Sequence, residues 1–228
     1  MTEQELLAFR PFAAWSRGQA LAMIAALFAC AFCRAGWPIA ASATPAFLCL
    51  IWLGRRAFSP SGRFGFANAV TALRLGLVVL LSAELTELSA PQVLTLVCSV
   101  LALDVLDGWL ARRLGDASAF GAHFDMETDA LLVLVLVLRL WLTEGFAIWI
   151  LLGGLLRYLY VSWLWVCPGS GREAPRSRLG RFAFVLLVLG LCAGLLLPQP
   201  WGHPCAAFGT LVVSWSFARS FYFSRRPA

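Results

Sequence analysis

The stretch LDVLDGWLARRLGDASAFGAHFDMETDALLVL, residues 103–134, sets Asp104, Asp107, Asp125 and Asp129 in a chain that is otherwise mostly apolar. Of the 228 residues, 61% are hydrophobic and only 13% are charged. A soluble domain of this size needs far more polar surface, so the composition excludes one. Long uncharged apolar runs recur on both sides of the stretch, and about 20 such residues cross a hydrocarbon core of roughly 30 Å.

The apolar runs predict membrane-spanning helices. In lipid the backbone must satisfy its own hydrogen bonds, and long continuous apolar runs indicate helices rather than the short alternating strands of a barrel. We therefore predict an all-α fold, a polytopic membrane helical bundle of eight spans, of which the two N-terminal ones are short and could instead form a re-entrant pair. The predicted spans are residues 18–33, 37–53, 67–86, 91–112, 119–142, 146–166, 180–197 and 203–223.

Three regions follow from this reading. Residues 1–53 form an N-terminal tail and two hydrophobic spans, and residues 67–228 form a six-span domain. Between them, residues 54–66, GRRAFSPSGRFGF, mix arginines with phenylalanines. This segment is either an interfacial element on anionic lipid headgroups or a basic loop that follows the topology rule. The pattern alone leaves both readings open.

The arginines are distributed unevenly between the two sides of the predicted bundle. One side receives both termini and Arg10, Arg17, Arg55, Arg56, Arg63, Arg112, Arg113, Arg172, Arg176, Arg178, Arg181, Arg225 and Arg226. The other side receives Arg34 together with Glu84, Glu87 and Glu144. Because loops rich in arginine stay in the cytoplasm, we expect both termini and the acidic helix ends there. The expected location is a bacterial inner membrane.

The four aspartates form two pairs at helical spacing. Asp104 and Asp107 are three residues apart and share one helix face, and Asp125 and Asp129 are four apart on the next helix. A short turn joins the two helices, so they are antiparallel neighbours and the pairs can converge. Four carboxylates held together in an apolar setting repel one another and lose hydration. A divalent cation removes that conflict, and such hard oxygen ligands suit Mg²⁺ or Mn²⁺.

The neighbours of the aspartates are consistent with a ligand site. Gly108 and Gly121 leave backbone exposed where a ligand can approach, and Arg112 can hold a phosphate oxygen. Two other readings remain for intramembrane carboxylates. They can pair with arginines, or they can line a proton or ion pathway.

The acidic stretch resembles the signature of the CDP-alcohol phosphatidyltransferases. That signature reads D-x-x-D-G-x-x-A-R, then eight residues, then G-x-x-x-D-x-x-x-D. It is filled here by Asp104, Asp107, Gly108, Ala111, Arg112, Gly121, Asp125 and Asp129. The segment NAVTALR, residues 68–74, is similar to the N-x-x-T-x-x-R of the family's first core helix. The segment PRSRLGRFAF, residues 175–184, is similar in part to P-S-x-x-G-K-x-x-T, with Arg181 for the lysine and Phe184 for the threonine.

The resemblance covers roughly residues 66–223 and implies a six-helix core like that of the CDP-alcohol phosphatidyltransferases, with the two N-terminal hydrophobic spans outside it. It also implies a reaction. Members of the family displace CMP from a CDP-linked lipid with an alcohol hydroxyl and need a divalent metal. The implied partners are CDP-diacylglycerol, an alcohol acceptor and membrane lipids, with no nucleic acid, and the family suggests a homodimer.

The resemblance also implies roles for individual residues. Asp104, Asp107 and Asp125 would bind a metal ion, Mg²⁺ or Mn²⁺, and Asp129 would join a second ion and act as the base. The residues that would contact the cytidine diphosphate are Asn68, Thr71, Gly108, Ala111, Arg112 and Gly121.

The acceptor is less well indicated. Relatives that make phosphatidylglycerol phosphate read L-D-P-x-A-D-K around the last two aspartates, whereas residues 124–130 read F-D-M-E-T-D-A. The missing proline and lysine make glycerol 3-phosphate a less favoured acceptor. If the acceptor carries a phosphate, the candidate residues to bind it are Arg157, Arg178 and Arg181.

A different class of function uses the same residues. A transporter or ion-coupled carrier can use an aspartate cluster as its cation site. Such carriers are typically built from inverted repeats and bind at the middle of the membrane. The sequence shows no such repeat, and its aspartates lie near one end of their spans, so we favour the transferase.

Overall fold

The computed structural model is helical throughout its described part. That part comprises residues 3–55, 57–58, 62–114, 118–166, 178–198 and 200–224, and it contains no strand. The long helices are α1 (Glu3–Cys33), α2 (Trp37–Gly54), α3 (Gly65–Ala83), α4 (Ala90–Leu114), α5 (Ala119–Thr143), α6 (Leu151–Val166), α7 (Arg178–Leu196) and α8 (Gly202–Ser224). A short 3₁₀ helix, Ile148–Ile150, leads into α6. The predicted all-α fold is confirmed.

The helices identify an integral membrane protein. Within the described residues, six helical segments are long and apolar enough to span a membrane, namely Phe12–Cys33, Trp37–Gly54, Gly65–Ala83, Ala90–Trp109, Ile148–Val166 and Leu179–Leu196. Helices α5 and α8 are not among them. In α5 the apolar run is interrupted by Asp125, Glu127, Asp129 and Arg139. The charges that interrupt α5 therefore include half of the acidic motif.

Helix α1 extends further toward the N-terminus than the sequence predicted. The predicted span began at residue 18, but the helix begins at Glu3 and its membrane-compatible part at Phe12. Arg17 interrupts the apolar run, yet its side chain is exposed, while Phe12 and Trp15 are buried on another face. An arginine on the outer face of a helix does not end the helix, because its long side chain can reach polar surroundings.

The chain divides into two compact units, Met1–Leu132 and Val133–Ala228. The first contains α1 to α4 and α5 as far as Leu132, and the second contains the remainder of α5 with α6, α7 and α8. All four signature aspartates belong to the first unit. The two N-terminal helices therefore share a compact unit with the helices that carry the acidic motif.

Close backbone contacts join the N-terminal helices to the rest of the first unit. Ser82 of α3 donates a hydrogen bond of 2.9 Å to the carbonyl of Gly36, between α1 and α2. A Cβ atom on Gly36 would overlap the Ser82 carbonyl and the Leu85 side chain. At the end of α2, a Cβ atom on Gly54 would overlap the Phe120 ring at the start of α5. Glycine is thus needed at both positions for the helices to approach this closely.

A buried polar cluster links α1 to α5. The hydroxyl of Ser16 lies 3.1 Å from His123 Nε2 and donates to Glu127 Oε1 at 3.3 Å, and all three residues are buried. Since successive residues of a helix differ by about 100°, positions 123 and 127 lie on the face of α5 opposite Asp125 and Asp129. By holding one face of α5, α1 fixes the direction in which the acidic face points.

We predict that Ser16→Val lowers the stability of the protein. The change removes a hydroxyl that two buried polar side chains contact, and such a loss typically costs about 1–3 kcal/mol. The measurement is the midpoint of thermal unfolding of the purified protein in nanodiscs. Ser99→Val is the matched control, because Ser99 is exposed on α4 and bonds only its own helix at Thr95. Equal midpoints for the two variants would contradict the prediction.

Candidate active site

Helix α3 presents one polar face to α4 and α5. Asn68, Thr71 and Arg74 follow one another at intervals of three residues, so they lie close to one face of an otherwise apolar helix. All three are buried, and the Arg74 side chain is 0% exposed. A buried arginine in a membrane-spanning segment requires carboxylate partners, because an unpaired charge is costly there.

The two acidic pairs meet opposite this face. One carboxylate oxygen from each of Asp104, Asp107 and Asp125 lies within 4.8 Å of the other two. The structure therefore brings together ligands from α4 and α5, the arrangement that the spacing of the pairs predicted. The fourth aspartate, Asp129, joins the group through Arg74.

Arg74 contacts all four aspartates. Its Nη1 atom lies 2.9 Å from Asp104 Oδ1 and 2.8 Å from both Asp107 Oδ2 and Asp125 Oδ1. Its Nη2 atom lies 2.7 Å from Asp129 Oδ1. Arg74 thus offsets part of the mutual repulsion among four neighbouring carboxylates.

Exposure differs among the four carboxylates. The side chains of Asp104, Asp125 and Asp129 are 40%, 24% and 21% exposed, whereas that of Asp107 is 8% exposed. The buried Asp107 carboxylate also accepts a hydrogen bond of 3.0 Å from the Thr71 hydroxyl, at Oδ2. Asp107 is therefore the least exposed of the acidic groups, and the other three are partly accessible.

Asn68 and Gly121 form a seam between α3 and α5. The Asn68 amide donates to the carbonyls of Phe58 and Phe64, at 3.0 and 2.5 Å. A Cβ atom on Gly121 would lie 2.8 Å from Asn68 Oδ1. Ser118 donates to the same Phe58 carbonyl at 2.7 Å and accepts from the Gly121 amide at 3.0 Å. These contacts tie the segment before α3 to the start of α5, next to the acidic cluster.

The other predicted site residues are distributed over both units. Gly108 is half-buried on α4 beside Asp107. The side chains of Ala111, Arg112 and Arg178 lie outside the described residues. Arg157 and Arg181 belong to the second unit, where the first is half-buried and the second exposed. The roles assigned to all these residues stay predictions.

The contribution of Arg74 was not predicted from the sequence. The N-x-x-T-x-x-R segment identified it as a motif position without assigning it a partner. A usable signal was present, since Arg74 is the one charged residue between residues 65 and 83, a run long enough to span the membrane. An arginine in such a run needs a carboxylate partner, and the next two helices in the sequence carry the aspartate pairs.

The donor set fits a divalent cation. Carboxylate oxygens are the ligands that Mg²⁺ and Mn²⁺ prefer. A six-coordinate Mg²⁺ ion has ligands at about 2.0–2.1 Å, so opposite ligands lie about 4.2 Å apart. Adjacent ligands of such an ion lie about 2.9 Å apart. The three oxygens lie within 4.8 Å of one another, so they are close enough to converge on one ion after the side chains adjust.

Comparison with known proteins agrees with this geometry. The family model described as CDP-alcohol phosphatidyltransferase matches residues 64–219, which include α3, all four aspartates and most of α8. Neither the curated proteins nor the solved structures give a match. The matched region covers well over half of the sequence and contains the whole acidic site, so the chain belongs to the CDP-alcohol phosphatidyltransferase family.

Proposed function

We propose that the protein transfers a phosphatidyl group from CDP-diacylglycerol to a hydroxyl of a polar alcohol and releases CMP, as a step of phospholipid biosynthesis. Family membership supports the general reaction, in which a substituted phosphate group passes from a CDP-alcohol to an acceptor alcohol. The observation that carries the proposal is the convergence of Asp104, Asp107 and Asp125 on one point, with Asp129 beside them. Family membership also favours this function over an ion-coupled carrier.

In this proposal the acidic cluster binds the cations. Asp104, Asp107 and Asp125 hold one ion, and Asp129 contributes to a second. Bound Mg²⁺ or Mn²⁺ neutralises the diphosphate and the charge that develops on the leaving CMP. Thr71 orients Asp107 through its hydrogen bond, so that this ligand keeps its position as the others adjust.

Asp129 is the proposed base. Its carboxylate is accessible, and Arg74 Nη2 orients one of its oxygens. It accepts the proton of the acceptor hydroxyl, whose oxygen attacks the phosphorus that bears the diacylglycerol. A new P–O bond forms to the acceptor as the P–O bond to CMP breaks, and CMP leaves with the electron pair.

The surroundings of Asp104 support a lipid donor. On α4, Val105, Leu106 and Trp109 are exposed, and they lie within five residues of Asp104. These apolar side chains are suited to contact acyl chains, while the aspartates next to them take the diphosphate. Lipid and nucleotide parts of one substrate can therefore be bound along the same helix.

The ends of α2 and α4 support a cytoplasmic location of the site. The Arg55 guanidinium lies 4.4 Å from the Trp52 ring centroid, and that of Arg113 lies 4.8 Å from the Trp109 ring centroid. Arginine with tryptophan is typical of the membrane interface, and clustered arginine is typical of the cytoplasmic side. We propose that residues 54–66 lie at this interface and that both termini are cytoplasmic.

We predict that Asp129→Asn abolishes CMP release. The change keeps the shape of the side chain but removes the proton acceptor, which should reduce the rate by about 10²–10⁴-fold. The assay uses purified protein, Mg²⁺ or Mn²⁺, CDP-diacylglycerol and a panel of polar alcohols. Glu127→Gln is the matched control, since it makes the same chemical change on the opposite face of α5 and should keep most of the activity. Equal losses in both variants would contradict the assignment of Asp129.

The same assay tests the donor. If no alcohol supports CMP release that depends on Asp129, CDP-linked polar alcohols are supplied with diacylglycerol as acceptor. Activity only in that second arrangement would overturn CDP-diacylglycerol as donor and would keep the transferase.

We predict that Thr71→Val weakens metal binding. Loss of the hydroxyl frees Asp107 to rotate, and groups that orient metal ligands typically contribute 10–100-fold in metal affinity. The Mg²⁺ concentration for half-maximal activity should therefore rise by about 10-fold or more. Thr71→Ser keeps the hydroxyl and should behave like the unchanged protein. An unchanged Mg²⁺ requirement in Thr71→Val would show that Thr71 does not orient a metal ligand.

A further inference from the structure

Arg74 Nη1 occupies the point at which the three candidate metal ligands converge. It lies 2.8–2.9 Å from the same aspartates, Asp104, Asp107 and Asp125, whose oxygens form the candidate cation cluster. A Mg²⁺ ion bound at about 2.0–2.1 Å to the three oxygens that Nη1 contacts would lie within roughly 3.5 Å of Nη1, even on the far side of the ligand plane. At that distance the two cations repel, and the guanidinium blocks part of the ion's ligand shell. The guanidinium in this position and the metal ion are therefore mutually exclusive.

The contacts of Nη1 are unequal. A guanidinium nitrogen of this type has two N–H groups, and they donate to Asp107 and Asp125 at 2.8 Å each. Asp104 makes a third, ion-pair contact with Nη1 at 2.9 Å, and its side chain is the most exposed of the four. Asp104 is accordingly the ligand that an arriving cation meets first.

The Arg74 side chain is not fully satisfied in this position. Its Nε atom is buried and has no hydrogen-bond partner among the residues that the structure describes. Buried hydrogen-bond donors normally have a partner. In this position the guanidinium therefore makes ion pairs with the aspartates while one of its hydrogen-bond donors stays unused. A side chain held mainly by charge can be replaced by another cation of higher charge.

We propose that Arg74 is an exchangeable counter-cation of the metal site. Its guanidinium holds the acidic residues together when no divalent cation is bound. It releases Asp104, Asp107 and Asp125 when the cation enters, and it keeps its Nη2 contact with Asp129. The inference rests on the metal centre of the proposed function, and it assigns Arg74 a positioning role that competes with metal binding.

The first test is a Mn²⁺ titration of the full-length protein in nanodiscs, with free Mn²⁺ followed by electron paramagnetic resonance. Arg74→Gln removes the competing cation, so we expect its Kd for Mn²⁺ to fall at least 10-fold below that of the unchanged protein. Without metal, its thermal unfolding midpoint should be lower, and saturating Mn²⁺ should remove the difference. A merely structural arginine would lower the midpoint and leave the Kd unchanged, which would overturn the inference.

Two controls separate competition for the site from a general effect of charge. Arg113→Gln removes an exposed arginine at the end of α4 and should leave the Kd unchanged. In Arg74→Ala, free guanidinium ion should raise the Kd for Mn²⁺, because it can refill the vacated position, whereas Arg113→Ala should show no such effect. A guanidinium effect that is equal in both alanine variants would contradict the inference. If Arg74→Gln is stable only with metal, the rate of Mn²⁺ loss to a chelator replaces the titration, and slower loss is expected.

The same titrations also show whether the aspartates bind a metal ion at all. If neither the unchanged protein nor Arg74→Gln binds Mn²⁺ more tightly than Asp104→Asn does, the cluster is not a metal site and the proposed function loses its basis. If the unchanged protein binds Mn²⁺ through Asp104 with the same affinity as Arg74→Gln, the metal centre stands and the exchange role of Arg74 is wrong.

Discussion

The concentration of negative charge around one buried guanidinium is the constraint on which the first unit depends. Four carboxylates in a membrane-spanning bundle repel one another and lose hydration, and Arg74 is placed to contact all of them. This requirement explains why α3, α4 and α5 each interrupt an apolar sequence with charge at matching depth. The same cluster of carboxylates suits the site to divalent cations, which in the proposed function would bind the diphosphate.

The N-terminal helices act on this site indirectly. They lie outside the region that matches the family model, yet they belong to the same compact unit. Ser16 holds His123 and Glu127 on one face of α5, and that contact directs Asp125 and Asp129 toward Arg74 on the other. A helix that carries acid on two opposite faces has two polar orientations available in an apolar bundle, and α1 selects one of them. This gives α1 a structural reason to be present.

Hydrophobic patterns in the sequence predicted the positions of the helices well. The features that they did not predict depend on contacts between helices. Apolar runs bounded by glycine and proline located α2 and α5 to within a residue, because lipid permits few alternatives to helix. The i, i+3 and i, i+4 spacings predicted that the acidic pairs would converge. The sequence indicated that Arg74 needs acidic partners, but its spacing defines only a face of α3 and not the helix that this face meets. The bonds from Asn68 to Phe58 and Phe64 likewise depend on how the chain folds back before α3.

The unequal environments of Asp104 and Asp107 suggest how one helix serves both stability and chemistry. The two residues share a face of α4, so a rigid helix presents both carboxylates together. Asp107 is buried and contacts Thr71 and Arg74, whereas the Asp104 side chain is 40% exposed and forms an ion pair with Arg74. The first can keep the position of the site constant while the second adjusts to an incoming ligand. Because Asp125 and Asp129 are also partly accessible, the proposed function would have substrates approach from the side of Asp104 and α5, where exposed apolar residues of α4 lie beside the acidic cluster.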